Sequence, residues 1–281
     1  MSKQTKTWLI IASSLVLFGC IMFGGVMSML QWDFHKLSTI QYETNHHTIH
    51  EDYTNILILT DTADVALIPS ENSETTVVCR EQQNAKHSVA VKDGTLVIEL
   101  TETRKWYEHI GITFTAPNIT VSIPQGKYGA LSVKSTTGDI DVKTIFAQTV
   151  DLSVSTGNVN ISNISCEGHL NITVTTGKTN ITDSSCQTLI SNGSTGSISL
   201  KNVVAAEKFS IERNTGSIKF DSCDAAELFI ETDTGNVTGT LLSDKVFLTQ
   251  TDTGSIKVPQ TTDGGKCEIR TNTGNIKVEI R

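Results

Sequence analysis

Apolar and polar residues alternate in short runs along the second half of the chain, and a Thr-Gly pair interrupts each run. Alternation with a period of two is typical of β-strands that bury one face. The pair returns every 19 or 20 residues, at Gly138, Gly157, Gly177, Gly196, Gly216, Gly235, Gly254 and Gly274. Each repeat is therefore predicted to be a strand, a turn, a second strand and a short polar return. We expect the eight glycines to be structural turn residues, because tight turns often need a positive φ.

The same apolar positions recur when the repeats are aligned on the glycine. The residue seven positions before it is apolar every time: Leu131, Val150, Leu170, Leu189, Phe209, Leu228, Phe247 and Cys267. The columns five positions before and two positions after are also apolar, except for Ser191, Thr249 and Thr179. Like residues at like offsets favour coils that stack so that each column forms a ladder. Ile218, two positions after its glycine, is predicted to face inward.

Two architectures are compatible with this pattern: a β-solenoid in which each repeat is one coil paired in parallel with its neighbours, and a sandwich of antiparallel hairpins. The ladders favour the solenoid, because linked hairpins give no reason for like side chains to stack. The predicted fold is all-β, a single-strand-wound parallel β-solenoid (β-helix) with 19–20-residue coils, preceded by one transmembrane helix. In this register Cys166 and Cys186 are expected to be stacked, reduced thiols at a small buried corner.

The N-terminal segment Trp8–Leu30 is apolar over 23 residues, enough to span a hydrocarbon core of about 30 Å. Lys3 and Lys6 precede it and favour a cytoplasmic N-terminus, which places the rest of the chain outside the cytoplasm as a single-pass membrane protein. A cleaved signal peptide and a lipoprotein acylated at Cys20 are the open alternatives.

These signals divide the chain into five predicted parts. They are a short cytoplasmic tail (1–7), a transmembrane helix (8–30), a juxtamembrane linker (31–52), irregular N-terminal β coils that cap the stack (53–130), and the regular Thr-Gly solenoid (131–281). The last repeat is expected to form the open end of the stack. Lys277, Glu279 and Arg281 would then be charged residues that guard this edge against end-to-end association.

The charge excludes one class of partner. The chain carries a net charge of −8, or −10 without Lys3 and Lys6, so the part beyond the apolar segment repels nucleic acid. Its six cysteines include no C-x-x-C pair and lack the density of a disulfide scaffold. The predicted partners are the membrane, through the N-terminal helix, and an envelope protein or a glycan. The oligomeric state stays open.

Two groups of residues suggest metal binding, each with a simpler explanation. His46, His47 and His50 stand beside Glu51 and Asp52, which together offer zinc ligands but are also typical of a solvated linker. A second group shares one turn offset on successive repeats, where oxygen ligands could attract calcium: Asp233 and Asp252, flanked by Asn214 and Asn272. Turn chemistry explains those residues equally well. We therefore predict no metal ligand, no cofactor and no catalytic residue.

The stretch Ile119–Val142 (ITVSIPQGKYGALSVKSTTGDIDV), followed by the Thr-Gly array, resembles the bacterial putative-adhesin family of membrane-anchored β-strand-repeat proteins, a domain-of-unknown-function class. The resemblance covers roughly residues 50 to 281 and implies a right-handed solenoid without a catalytic motif. The implied function is a non-catalytic, adhesin-like binding or scaffold module at the bacterial cell envelope. The alternatives are an accessory component of envelope-stress sensing and a β-helix polysaccharide-active enzyme.

Overall fold

A computed structural model describes residues 2–37, 41–102 and 115–281. Residues 38–40 of the predicted linker and 103–114 of the predicted cap lie outside the described residues. The described chain forms an α-helix, α1 (Lys3–Met29), a short 3-10 helix (Phe34–Leu37) and a set of β-strands. The strands are β1 (Tyr42–Ile49), β2 (Asn55–Thr60), β3 (Asp64–Pro69), β4 (Thr75–Gln82), β5 (Ala85–Lys92), β6 (Thr95–Glu102), β7 (Asn118–Ile123), β8 (Lys127–Thr137), β9 (Ile140–Thr156), β10 (Val159–Cys166), β11 (His169–Thr176), β12 (Thr179–Thr195), β13 (Ile198–Thr215), β14 (Ile218–Thr234), β15 (Val237–Leu241), β16 (Lys245–Thr253), β17 (Ile256–Lys257), β18 (Gly265–Thr273) and β19 (Ile276–Ile280).

The helix and the strands belong to two separate compact units. In the first unit, Ser2 caps α1, and its hydroxyl accepts a hydrogen bond from the backbone N–H of Thr5 (3.2 Å). The 27 residues of α1 span about 40 Å at 1.5 Å per residue. The helix is long and apolar enough to cross a membrane, as a single-pass anchor or as a signal sequence.

The second unit is a parallel β-solenoid, which confirms the predicted fold class. We number its Thr-Gly coils 1 to 8 in chain order, from the coil of Gly138 to that of Gly274. From coil 1 to coil 6 the stack follows the chain. Leu170 of coil 3, for example, pairs in parallel with Val150 of coil 2 and with Leu189 of coil 4.

The apolar columns form one continuous core inside the stack. Ile218 and Ile230 have no exposed surface and Phe209 has 1%, so the predicted inward face is correct. The stacking is close enough to restrict side-chain size at the turns. A Cβ on Gly177 (φ 148°) would overlap the carbonyl oxygen of Gly157 in the neighbouring coil, so a larger residue there would push two coils apart.

A buried arginine explains two of the polar exceptions in the core columns. Arg213 of coil 5 is 3% exposed and donates hydrogen bonds to Ser191 Oγ (2.9 Å), Ser191 O (3.1 Å) and Thr179 Oγ1 (3.3 Å). Gly193 leaves room for it, since a Cβ there would lie 3.1 Å from the guanidinium carbon. Burial lowers the pKa of Arg213 to about 10, so the side chain keeps its charge at neutral pH.

The N-terminal end of the stack departs from chain order. β2 and β3 form a coil that lies directly on coil 1, where Ile56 pairs with Leu131 and Val65 pairs with Ile140. β6 and β7 come later in the chain but pair with the outer side of β2 and β3. The antiparallel strands β5 and β4 then pair with β6 and β7. The later coil therefore lies outside the earlier one.

The predicted linker is shorter than the sequence indicates. Strand β1 pairs in antiparallel register with β4, with Asn45 opposite Cys79, so the linker prediction is wrong for these eight residues. Their half-buried positions are Tyr42, Glu43, Asn45, His47 and Ile49. This mostly polar series hides the strand from a search for alternating apolar residues.

The C-terminal end also departs from chain order. Leu228 of coil 6 pairs with Cys267 of coil 8, and Cys267 pairs on its other side with Phe247 of coil 7. The order in the stack is therefore coil 6, coil 8, coil 7. The prediction that the last repeat forms the open end is wrong: Lys277 pairs with β15 on one side and β17 on the other.

An ion pair bridges the inserted coil. Lys245 of coil 7 pairs with Gly265 of coil 8, and its ammonium reaches across to Asp224 (Nζ to Oδ1, 2.7 Å). The lysine side chain is only 4% exposed. Gly265 allows coil 8 to lie close to the neighbouring coil, because a Cβ there would overlap the Ala226 carbonyl oxygen.

The cysteine columns follow the predicted register. Ser165 pairs with Ser185, which places Cys166 beside Cys186 in the next coil, and both are free thiols. The Cys166 thiol also donates to the carbonyl oxygen of His169 (3.2 Å). Burial raises the pKa of Cys186 to about 12, so this thiol stays protonated inside the stack.

Candidate functional site: a groove along one corner

A column of left-handed residues marks one corner of the solenoid. Six residues after the turn glycine, coils 1 to 5 place a residue with φ between 49° and 57°. These residues, here called the corner column, are Thr144, Asn163, Asp183, Asn202 and Ser222. Asn and Asp tolerate this conformation better than most residues, whereas a β-branched threonine rarely adopts it. The column is visible in the sequence as a polar position at constant offset, but the sequence analysis did not identify it.

The corner column and the strand residues after it enclose an open groove. The amide of Asn163 donates to Thr144 Oγ1 (3.2 Å) and that of Asn202 to Asp183 Oδ1 (2.8 Å), so the polar wall is ordered along the stack. The groove has a volume of about 500 Å³. It crosses four coils, a length of roughly 14 Å at the usual strand spacing.

The floor of the groove combines apolar and hydroxyl groups in one strand row. Along this row Phe146 pairs with Ser165, Ser165 with Ser185, and Ser185 with Val204. Phe146 is 38% exposed and Val204 is 42% exposed. Exposed apolar side chains inside a concave polar site are typical of ligand-binding surfaces.

The turn before β8 closes one end of the groove. Tyr128 donates to the carbonyl oxygen of Pro124 (2.7 Å) and stacks on Tyr53, with ring centroids 6.0 Å apart. Burial raises the pKa of Tyr128, so its hydroxyl stays a donor. Lys127 Nζ lies 5.5 Å from the centroid of the Phe146 ring and pairs with Glu167 (2.7 Å). Aromatic, ionic and hydrogen-bonding contacts thus hold this end of the groove in place.

The ionisable groups that line the groove differ from the carboxyl pair of a glycoside hydrolase. Among the described residues that line it, Asp183 is the one carboxylate, and histidine, cysteine, lysine and arginine are absent. Glycoside hydrolysis usually needs two carboxyl groups on either side of the scissile bond. The groove offers hydrogen bonds and apolar contacts, which suit binding.

A second cluster lies in the core near the N-terminal end of the stack. Cys79, Glu81 and His87 are buried, and their ligand atoms lie within 4.8 Å of one another, a spacing compatible with a metal ion. Glu81 accepts from the His87 backbone N–H (2.6 Å), His87 Nδ1 (2.7 Å) and Asn45 Nδ2 (2.8 Å), while Thr60 Oγ1 contacts His87 Nε2 (3.0 Å). These hydrogen bonds account for the buried carboxylate without an ion.

The thiol of the same cluster is kept protonated by its surroundings. Burial, and then the nearby charge of Glu81, raises the pKa of Cys79 to about 12. Cys79 and Glu81 are two residues apart on one strand, so alternation alone places them on the same face. Sequence reasoning missed the cluster because His87 joins it only through the pairing of the following strands.

The histidine-rich group does not converge on one point. His46 and His47 are successive residues of β1, so their side chains lie on opposite faces of the strand. His50, Glu51 and Asp52 line a separate cleft of about 230 Å³. Within the described residues, none of the five belongs to a three-ligand cluster.

The arrangement on which the calcium hypothesis rests is also wrong. Asp233 and Asp252 belong to coils 6 and 7, which are not adjacent, because coil 8 inserts between them. Asn272 occupies the position between the two aspartates and donates to Asp233 Oδ1 (3.2 Å). The amide therefore separates the carboxylates by two strand spacings, about 10 Å.

Fold and groove together define the class: a parallel β-solenoid with a concave groove along one corner. The chain belongs to the Toastrack family (DUF4097), whose profile matches residues 53–190 and 170–281. A comparison with curated proteins gave no significant match.

One solved structure agrees with the fold, and a second is a more distant match. A putative adhesin of Bacteroides fragilis is 18% identical, with a TM-score of 0.51 over 84% of this chain and 97% of that one. A putative cell adhesion protein of Clostridium sporogenes is 7% identical, with a TM-score of 0.28 over 85% of this chain and 100% of that one. At 18% identity, the likeness to the Bacteroides fragilis protein concerns the fold alone.

Proposed function

We propose that the chain is a membrane-anchored, non-catalytic binding module of the bacterial cell envelope, and that the corner groove binds a glycan chain. The observation that carries this proposal is the exposed Phe146 ring beside the ordered amides and hydroxyls of the corner column. The Bacteroides fragilis protein of the same fold is described as a putative adhesin, which agrees with a binding role.

The chemistry of the groove matches a sugar chain better than a charged polymer. Sugars present apolar ring faces, which pack on aromatic side chains, and hydroxyl groups that both donate and accept. The side-chain amides of Asn163 and Asn202 can both donate and accept hydrogen bonds, and Phe146 provides an aromatic ring. An extended chain that follows the stack axis would meet one corner residue per coil.

Binding to linear neutral oligosaccharides, measured by calorimetry with the full chain in detergent, tests the proposal. Phe146→Ala should weaken binding roughly tenfold, equivalent to about 1.4 kcal/mol, and Asn202→Ala should weaken it less. The matched control is Leu242→Ala, since Leu242 is similarly exposed (47%) outside the groove. A panel without any binder, or equal affinity of Phe146→Ala and wild type, contradicts the glycan assignment.

The location is part of the proposal. α1 would remain as the anchor, with the solenoid outside the cytoplasm, because Lys3 and Lys6 precede the apolar segment. Protease added to intact, wall-stripped cells should then degrade the chain beyond residue 31. Full protection of the solenoid would contradict this orientation.

A further inference from the structure

The terminal coil of the stack exposes a strand edge. In the described part of the chain, β16 pairs with β18 alone and β17 with β19 alone. The following segment covers only the beginning of this edge, where Thr261 Oγ1 donates to the carbonyl oxygen of Lys245. Val246 to Thr253 therefore present backbone groups that another strand can pair with.

The first six residues of this edge lack the charges that usually protect exposed strands, and Asp252 follows them. The residues from Val246 to Thr251 (VFLTQT) are uncharged. The strand next to it, which is already paired on both sides, carries Lys266, Glu268 and Arg270 in mutual ion pairs. Charges on outermost strands oppose association, and here they lie one strand too far inward to do so.

Apolar exposure is concentrated at the same end. Outside the corner groove, the exposed large hydrophobic side chains of the described solenoid are Leu242, Val246, Leu248 and Ile256. The core is also incompletely covered, because Phe247 is half-buried, whereas Phe209 in the same column is 1% exposed. Val258 packs against this core but leaves Ile256 43% exposed.

We propose that this end is a self-association surface, on which a second copy of the chain pairs its own β16 in antiparallel register about a two-fold axis. A two-fold contact brings the same segment from both copies together. Such a segment must not place like charges opposite each other. The uncharged run of β16 satisfies this condition. Pairing with a strand of unrelated sequence would not require β16 itself to be uncharged.

The side chains favour a register centred on Leu248. Leu248 then lies opposite its own copy, and Val246 lies opposite Gln250. Phe247 lies opposite Thr249, so a large core residue of one copy meets a small one of the other. The five residues from Val246 to Gln250 pair only among themselves, and the two cores become continuous.

A cysteine substitution tests the register. The full chain in detergent, with Cys20→Ser to remove the exposed cysteine, would carry Leu248→Cys. Two such residues opposite each other come within disulfide distance, so mild oxidation should convert most of the chain to a covalent dimer. Val204→Cys, at a site of similar exposure (42% against 51%), is the control and should form little. Equal dimer formation by both would overturn the proposal.

Sedimentation tests the association itself. Wild type should sediment as a dimer at micromolar concentration. Leu248→Lys should weaken the dimer at least roughly tenfold, since it places like charges directly opposite each other, and Val246→Lys, opposite the uncharged Gln250, should weaken it less. Val204→Lys should not change it, and unchanged melting temperatures would show that all variants are folded. A monomeric wild type would overturn the proposal, and so would a dimer that persists in Leu248→Lys. In the oxidation experiment, a cross-link of Leu248→Cys to another protein instead of to a second copy would also overturn it.

Discussion

Coils 1 to 6 and the two ends of the solenoid share the same apolar columns but are stacked in different orders relative to the chain. In the middle each coil lies on the one that precedes it in the chain, as Ile218 shows by pairing with Ile198 and Val237. At both ends the stacking order differs from the chain order. β6 and β7 lie outside β2 and β3, and coil 8 lies between coils 6 and 7. Every coil presents nearly the same apolar columns, so the columns alone select a register but not an order. The order therefore depends on contacts outside the columns, and the ion pair of Lys245 with Asp224 across coil 8 is a candidate for such a contact.

The largest expected effect comes from charge in the middle of the core. Ile218→Asp buries a carboxylate without a partner and should lower the free energy of unfolding by about 4 kcal/mol or more. Ile256→Asp, at the same offset in the terminal coil, should cost less than about 1 kcal/mol, since Ile256 is 43% exposed. Urea denaturation of both variants measures the contrast. Equal losses would mean that the terminal coil is as well packed as the middle.

Removal of the buried arginine should rank next. Arg213→Ala leaves Ser191 and Thr179 without their guanidinium partner and opens a cavity, so we expect a loss of about 3 kcal/mol. Hydrogen exchange should show the damage first in coils 4 and 5. Arg270→Ala, which removes a half-exposed arginine (53%), is the control and should cost less than about 1 kcal/mol. A loss no larger than that of Arg270→Ala would show that the space left by the Arg213 side chain closes without lowering the free energy of unfolding.

Breaking the bridge over coil 8 should have a smaller and more local effect. Lys245→Met leaves Asp224 partly buried without its partner, a loss of about 2 kcal/mol, below the range for fully buried pairs because Asp224 is 19% exposed. Limited proteolysis should then cut first between residues 240 and 265, while coils 1 to 5 stay intact. Lys266→Met, on the exposed face, provides the comparison. Cleavage spread evenly over all coils would contradict a role in fixing the order.

The smallest expected effect is a loss of folding stability at alkaline pH. The folded pKa of Cys186 is about 12 and its ordinary value is 9.0, so the thiol contributes stability below pH 9 that is lost as the pH rises from 9 towards 12. At pH 10 the loss is about 1 kcal/mol for this residue. The unfolding free energy of Cys186→Ala should therefore fall less steeply than that of wild type between pH 9 and 11. Parallel curves would show that the thiol also ionises in the folded state.

The repeat could be predicted from the sequence because strand alternation and the turn glycines are local properties. Ser191 and Thr179 stood out as exceptions, but the residue that satisfies them, Arg213, lies more than twenty positions away and looks like a surface residue. The order of coils 7 and 8 could not be predicted, since the spacings of their glycines match those in the middle. Of the groove, only the polar corner position was visible. Its apolar floor arises from strand pairing that places Phe146 beside Ser165.

The insertion of coil 8 has a consequence for synthesis. The ribosome completes β16 and β17 before β18 and β19, so for a time coil 6 is free to accept coil 7, whose columns match the same ladder. A stack formed in that order would have to open again to admit β18 and β19. The last coils can therefore reach their final order only after β18 and β19 have been synthesised, and a chain shortened within β18 should retain the premature arrangement.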